Sequence, residues 1–247
     1  MSASRSPFYF TNPASPYDGL PLEVVNRISG IDYYFNHFLT WEGPVAEGLD
    51  GGWLLSGTTG AATIVHTAVK NGEIVLTADA TGSCNPTLQL GNTTADMPFT
   101  YTVGKRLWVF AKQKYVTVAT TEVFFGLGTA DTSPCTTGTF PSDGIFWYKA
   151  STDTKMSFQA RKDGTGTAKT TITGTLVDAT YTTLGFTVDR LGAITPWQDG
   201  VALTSSAIAP GTANIPVAAA DTLTFMLGIL GASMTCTLDW LLIAQEL

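Results

Sequence analysis

The sequence predicts an all-β protein, an antiparallel two-sheet jelly-roll sandwich with an extended N-terminal arm. Short stretches in which apolar and polar residues alternate recur along the chain, and turn-forming residues separate them. No stretch has the helical pattern of about 10–15 residues that a parallel sheet with crossover helices needs. Glycine is abundant, with 25 residues, while only 13% of the residues are charged. This balance favours strands and turns over surface helices.

Residues 1–30 differ from the rest of the chain and form the predicted arm. They contain four prolines, which rule out a regular helix or strand of any length: Pro7, Pro13, Pro16 and Pro21. Aromatic residues lie between the prolines, so we expect the arm to pack on its own domain or on a neighbouring subunit. These candidate partner-binding residues are Phe8, Tyr9, Phe10 and Tyr17. The remainder, 31–247, has the length of a single large β domain.

The first half of that domain contains six predicted strands. They are short alternating or aromatic stretches bounded by polar and glycine-rich turns, at 31–41, 53–56, 62–66, 73–77, 87–90 and 99–103. The dipeptide of Asn71 and Gly72 predicts a hairpin between the third and fourth strands, because Asn-Gly is a preferred two-residue turn.

The middle of the chain contains the most apolar predicted strands. In 106–112, Leu107 and Val109 face one side of the strand and Trp108 and Phe110 the other. We expect 122–128 to pair with this strand. A hairpin is predicted between 144–148 and 155–161, and a threonine-rich strand over 168–173.

A meander of three strands follows at 184–203. Leu184, Phe186 and Val188 alternate with small or polar residues, which is typical of a strand with one buried face. Tight turns are predicted at 189–192 and at 199–200, where Asp-Gly again favours a hairpin. The last strands are predicted at 221–228 and 235–245. The apolar final strand needs cover, and the first strand is its expected neighbour.

Composition excludes several classes of function. The net charge of −7 and a pI near 4.7 argue against nucleic-acid binding. The three cysteines, Cys84, Cys135 and Cys236, have no Cys-x-x-Cys spacing, so we expect reduced thiols. No signal-peptide pattern and no run of about 18 apolar residues is present. We therefore expect folding in the cytoplasm and no membrane partner.

Three stretches resemble known proteins. The hairpin TLGFTVD at 183–189 with WQDG at 197–200, and the closing LDWLLIAQE at 238–246, resemble the concanavalin A-like (laminin G-like) jelly-roll superfamily. With the opening DYYFNHFLTW at 32–41, the chain resembles a family of tailed-phage virion proteins that decorate the head or serve it as accessory structural proteins. The resemblance implies a non-enzymatic structural protein of a bacteriophage particle, made in the host cytoplasm and located in the virion. Its partners would be the capsid protein or copies of itself, contacted through the arm and an apolar sheet surface.

The superfamily's glycan hydrolases need two carboxylates about 5–9 Å apart, which a Glu-x-Asp-x-Glu strand supplies, and the chain has no such run. A catalytic histidine would act as the base for a nucleophile, but the sequence has no Gly-x-Ser-x-Gly nucleophile elbow for His37 or His66 to activate. We therefore expect neither an enzyme nor a cofactor.

Calcium is a further alternative, because some members of the superfamily bind it through loop aspartates. Six aspartates of this chain lie in predicted turns: Asp79, Asp96, Asp131, Asp143, Asp163 and Asp221. Aspartates in turns, however, mostly bond their own backbone.

Glycan binding is the alternative function, as in a receptor-binding or adhesion domain. It would use exposed rings beside polar groups, and Trp197, Tyr148 and Asp199 are the candidates. Trp197 adjoins a turn and is the tryptophan that we expect to be exposed. The other five are expected to fill the core: Trp41, Trp53, Trp108, Trp147 and Trp240.

Overall fold

In a computed structural model, the chain forms two antiparallel sheets packed face to face. The structure describes residues 31–36, 53–56, 62–67, 73–81, 86–90, 99–100, 102, 104–129, 135, 140–169, 176–211, 215–216 and 222–246. The predicted arm lies outside the described residues, and with it Phe8, Tyr9, Phe10 and Tyr17.

The described residues contain sixteen strands and one 3-10 turn, Thr204–Ser206. The strands are β1 (Ile31–Asn36), β2 (Trp53–Ser56), β3 (Thr63–Thr67), β4 (Glu73–Thr77), β5 (Thr87–Leu90), β6 (Phe99–Thr100), β7 (Leu107–Val116), β8 (Glu122–Gly128), β9 (Gly144–Lys149), β10 (Ser157–Lys162), β11 (Thr165–Lys169), β12 (Tyr181–Val188), β13 (Ile194–Gln198), β14 (Val201–Ala202), β15 (Thr222–Leu230) and β16 (Thr235–Glu246).

Eight of the described strands form each sheet. The first sheet has the order β14-β13-β12-β7-β16-β4-β3, and β1 pairs with β16 beside β4. The second has the order β11-β10-β9-β8-β15-β5-β2, and β6 pairs with β15. The predicted all-β, two-sheet sandwich is thus confirmed.

The core lies between the sheets and follows the alternation seen in the sequence. Leu107 and Val109 of β7 point into it, whereas Trp108 and Phe110 belong to a separate cluster on the outer face. Trp147 reaches from the second sheet across the core, and its indole N–H donates to the Gly185 carbonyl oxygen of β12 at 3.1 Å. Because a buried indole N–H needs an acceptor, this bond fixes how the two layers meet.

Several predicted pairings are confirmed. The meander forms β12, β13 and β14, with turns at the predicted positions. The first strand pairs with the last, from Ile31 opposite Glu246 to Asn36 opposite Leu241. The hairpins β3–β4 and β9–β10 are both present. Trp147 fills the core as predicted. The prediction that Trp108 and Trp240 fill the core is wrong, because Trp108 is buried and Trp240 is half-buried in the cluster on the outer face of the first sheet. The side chains of Trp41 and Trp53 lie outside the described residues.

The pairing predicted for 122–128 is wrong. This stretch is β8, and it lies between β9 and β15 in the second sheet, whereas β7 lies between β12 and β16 in the first. The turn between β7 and β8 therefore carries the chain from one layer to the other. Both strands are apolar on both faces, so the sequence pattern could not distinguish partners within a sheet from partners across the core.

Candidate functional site

Trp197 lies on the outer face of the first sheet, and the prediction that it is exposed is wrong. Its side chain is 7% exposed and packs in an outer aromatic cluster with Trp108, Phe110, Leu242 and Ala244. Its indole N–H donates to the Thr187 hydroxyl at 3.0 Å. The neighbours across the strands supply apolar surface on both sides, so the ring covers its own sheet instead of facing the solvent.

Gly185 makes this cluster possible. It stands opposite Trp197 in β13 and opposite Phe110 in β7. A Cβ atom there would run into the Phe110 ring and would lie 2.5 Å from the Val109 carbonyl oxygen. The Phe110 ring therefore occupies the space that a side chain at position 185 would need.

Asp199 shapes the turn between β13 and β14. It is exposed and has a φ of 49°, a left-handed conformation that aspartate tolerates better than most residues. One carboxylate oxygen accepts a hydrogen bond from the Thr183 backbone N–H at 2.8 Å. These contacts give Asp199 a role in the local fold.

Tyr148 lies on the outer face of the second sheet, on the opposite side of the sandwich from Trp197. It is half-buried, with the ring of Phe140 at 4.6 Å and that of Phe146 at 6.3 Å. The structure therefore does not bring Tyr148 together with Trp197 and Asp199. A platform that combined all three is excluded by the topology.

The segment 140–143 lies over part of this second face. Pro141 sits above Gly128, where an added Cβ would come within 3.1 Å of it. Arg161 donates to the carbonyl oxygens of Phe140, at 3.5 Å, and of Gly164, at 2.8 Å. Tyr148 and Phe140 thus form a small aromatic patch beside a guanidinium group.

The candidate calcium ligands have local partners. Asp143 accepts hydrogen bonds from the Asp163 N–H at 2.9 Å and from the Ser142 hydroxyl at 2.7 Å. Asp79 accepts from the Thr81 hydroxyl at 2.5 Å. Within the described ranges, no group of three or more His, Cys, Asp and Glu side chains is placed to hold a metal ion. Asp96, Asp131 and Asp221 lie outside those ranges, as does His37.

A cluster of charged groups around Tyr181 covers the outer face of the first sheet near β4. The ammonium groups of Lys112 and Lys114 lie 4.8 and 4.5 Å from the centre of its ring. Its hydroxyl donates to Glu73, and Lys112 pairs with Asp239 at 2.6 Å. The charges satisfy one another, and they stabilise this face through cation–π and ion-pair contacts.

A cavity opens at one end of the sandwich, and no pattern in the sequence indicated it. It has a volume of about 380 Å³, within the usual range for ligand pockets. Three chain segments form it: the β7–β8 turn, the β9–β10 loop and the segment before β12. Its lining includes Val118, Lys149, Asp153, Leu176, Val177 and Asp178, and we call it the end cavity.

Lys149 holds two of these segments together. It is 2% exposed, and its Nζ donates to the carbonyl oxygens of Thr121, at 2.9 Å, and Ala150, at 3.2 Å. Burial lowers the pKa of Lys149 below its ordinary value, and the negative charges of Asp153 and Glu122 oppose part of that shift. The signal for its burial was present in the sequence, since Lys149 shares its strand face with Ile145 and Trp147.

The carboxylates of the end cavity each bind the backbone through one oxygen. Asp178 Oδ1 accepts from the Val118 N–H at 2.7 Å, and Asp153 Oδ2 accepts from the Ala150 N–H at 3.4 Å. Val118 and Leu176 form an apolar floor, while Val177 is 58% exposed at the opening. The cavity thus combines acidic groups with an apolar wall.

Comparisons with known proteins establish the fold class. No protein-family model matches the chain, and no curated protein matches it. Among solved structures, the protein of unknown function SO2946 from Shewanella oneidensis MR-1 superposes with a TM-score of 0.59 at 14% identity, over 89% of this chain and 88% of that one. The T. cruzi calreticulin globular domain gives 0.56 at 13% identity, over 85% and 86% of the two chains.

The carbohydrate recognition domain of Emp47p is a further neighbour. Its TM-score is 0.54 at 12% identity, over 85% of this chain and 94% of that domain. The fold is therefore the concanavalin A-like jelly-roll sandwich, as the sequence resemblance predicted. At these identities the likeness establishes the fold alone. Within the part of the chain that the structure describes, no helix is long and apolar enough to cross a bilayer.

Proposed function

We propose that the protein is a non-enzymatic structural protein of a bacteriophage particle, a capsid decoration or head-accessory protein. The observation that carries the proposal is where the three resemblance-bearing stretches lie. The described part of the opening stretch is in β1, the closing stretch is in β16, and the hairpin forms β12 and β13. All four strands belong to the first sheet, with β7 between β12 and β16. The stretches that resemble virion proteins thus form one continuous unit of structure.

The outer face of this sheet also offers a docking surface for a capsid protein or a second copy. Val65 of β3 and Val116 of β7 expose 50% and 38% of their surfaces on it. Their neighbours Ile64 and Tyr115 point into the core, so both valines face outward. Among the described strands, β3 is the last on this side of the sheet, and an edge strand can accept a strand from another chain.

Co-sedimentation with capsids tests the proposal. We expect the full chain to pellet with capsids from cells that carry its gene, and a chain lacking residues 1–30 to remain in the supernatant while keeping the circular dichroism spectrum of a β protein. Val65→Asp with Val116→Asp should weaken attachment, whereas Leu191→Asp, at a 74% exposed position in the β12–β13 turn, should not. Absence of the full chain from the pellet would reject the proposal, and attachment without the arm would reject the role of the arm.

Glycan binding is the second candidate, and the patch of Tyr148 and Phe140 favours it. Aromatic rings 4.6 Å apart beside the Arg161 guanidinium offer stacking surface and hydrogen-bond donors together. The carbohydrate recognition domain of Emp47p shares the fold. A glycan array with the wild-type chain and with Tyr148→Ala tests this candidate. Glycan binding at the patch requires that the wild-type chain gives a signal and that Tyr148→Ala removes it.

A further inference from the structure

Hydrogen bonds hold the walls of the end cavity in place. Lys149 donates to Thr121 O and Ala150 O, so it ties the β7–β8 turn to the β9–β10 loop. Asp178 accepts a hydrogen bond from the Val118 N–H of the β7–β8 turn, and Asp153 accepts one from the Ala150 N–H of the β9–β10 loop. Such bonds preorganise the walls, and a ligand therefore need not order them.

The charge around the end cavity is negative. Asp153 and Asp178 line it, and Glu122 adds its charge next to Lys149. The single ammonium of Lys149 is enclosed in the wall and bound to two carbonyl oxygens. Among the described residues, the second carboxylate oxygen of Asp153 and that of Asp178 have no hydrogen-bond partner and can accept from a ligand. The whole chain, with a net charge of −7, adds to the attraction for a cation.

Part of the wall of the cavity is apolar. Val118 and Leu176 are buried in its floor, and Val177 stands at the opening. A ligand that fits must therefore carry a positive head for the carboxylates and an apolar stem for the valines and the leucine. An arginine side chain has both, and its planar, weakly hydrated guanidinium can donate to two carboxylates at once.

We propose that the end cavity is an anchor pocket for an arginine side chain of a protein partner. Charge complementarity and the apolar wall select this occupant over an anion, which the carboxylates repel. Arginine is also among the residues that most often anchor protein interfaces. The inference rests on the proposed function only in taking the partner to be a protein of the particle.

The test uses N-acetyl-arginine amide as the probe and the isosteric, neutral N-acetyl-citrulline amide as its control. Binding is followed by NMR through the amide signals of Val118 and Ala150, whose N–H groups contact the two carboxylates. We expect saturable shifts with a dissociation constant on the order of 1 mM for the arginine probe, weakened by salt. The citrulline probe should bind at least about tenfold more weakly, because it has lost the charge.

Two variants and one control variant locate the site. Val177→Arg places a guanidinium at the opening of the cavity and should abolish binding of the probe, while Val201→Arg, at a 62% exposed valine of β14, should leave it unchanged. Asp178→Asn keeps an acceptor for the Val118 N–H but loses the charge, and should weaken binding about fivefold. If Asp178→Asn fails to fold, the two arginine variants still decide the matter.

Several outcomes would overturn the proposal. These are equal binding of both probes, shifts confined to other amides, the same loss in Val201→Arg as in Val177→Arg, or no saturation. Displacement of the probe by neutral sugars would assign the cavity to glycans instead. Capsid attachment is a separate measurement. If the chain attached to capsids but did not bind the arginine probe, the anchor pocket would be refuted and the proposed function would remain.

Discussion

Replacing Trp197 with alanine tests whether this ring is part of the fold or an exposed platform. The side chain is 7% exposed and packs against Trp108, Phe110 and Leu242. Removal of a buried tryptophan costs about 3–5 kcal/mol, and the lost bond to Thr187 falls within that sum. The cluster lies on an outer face, where water can enter the space left behind, so we expect a loss of about 3 kcal/mol.

Urea unfolding followed by circular dichroism measures this loss without depending on tryptophan fluorescence. Trp197→Phe keeps most of the ring and removes the N–H donor, and should cost about 1 kcal/mol. Leu191→Ala, in the exposed turn before β13, should change stability by no more than about 0.5 kcal/mol. If Trp197→Ala were as mild as Leu191→Ala, the ring would not be packed and our assignment of Trp197 would be refuted.

Three further predictions concern stability. Gly185→Ala should cost about 3 kcal/mol or more, because its Cβ meets the Phe110 ring, whereas Gly164→Ala, with open space but a φ of 74°, should cost only about 1–2 kcal/mol; equal losses in urea unfolding would contradict this. Burial raises the pKa of Cys236, so only the thiol of the unfolded chain ionises above about pH 8.5. The free energy of unfolding should therefore fall with rising pH by up to about 1.4 kcal/mol per pH unit. Between about pH 7 and 9.5, Cys236→Ala should lack this slope, and parallel plots of stability against pH for the two proteins would refute the prediction. For Glu246, burial raises the pKa, but the hydrogen bonds from Arg190 and the Arg106 N–H outweigh it and hold the pKa below its ordinary value. Its stabilisation is therefore present above about pH 4.3 and is lost on further acidification. Glu246→Gln should remove that pH dependence and cost about 0.5 kcal/mol at pH 7, and an unchanged pH dependence of stability in this variant would contradict the prediction.

The sequence predicted the strands and their local pairing well. Period-two alternation located β12, apolar runs bounded by turn residues located β7 and β16, and the Asp-Gly turn located the hairpin of β13 and β14, because these signals depend on neighbours along the chain. The pairing of β8 was not predictable in the same way. Its contacts with β9 and β15 depend on which layer the chain enters after β7, and that choice is made by packing across the core.

The candidate sites were harder to predict than the fold. The exposure of Trp197 was misjudged because the cluster that buries it comes from β7 and β16, which are distant in sequence. The end cavity is built from segments near 118, 149–153 and 176–178. None of these segments has a recognisable motif, and only the fold brings Lys149, Asp153 and Asp178 together. Alternation alone could have indicated that Lys149 points inward.

The copy number of this chain in purified particles tests directly whether the protein is a structural component of the virion. Particles released from cells that carry its gene would be purified by density gradient, and the chain would be quantified by mass spectrometry against the major capsid protein. We expect a fixed ratio of many copies per particle, unchanged by further purification. A chain that is absent from the particles, or present only in traces that further washing removes, would contradict a structural role in the virion.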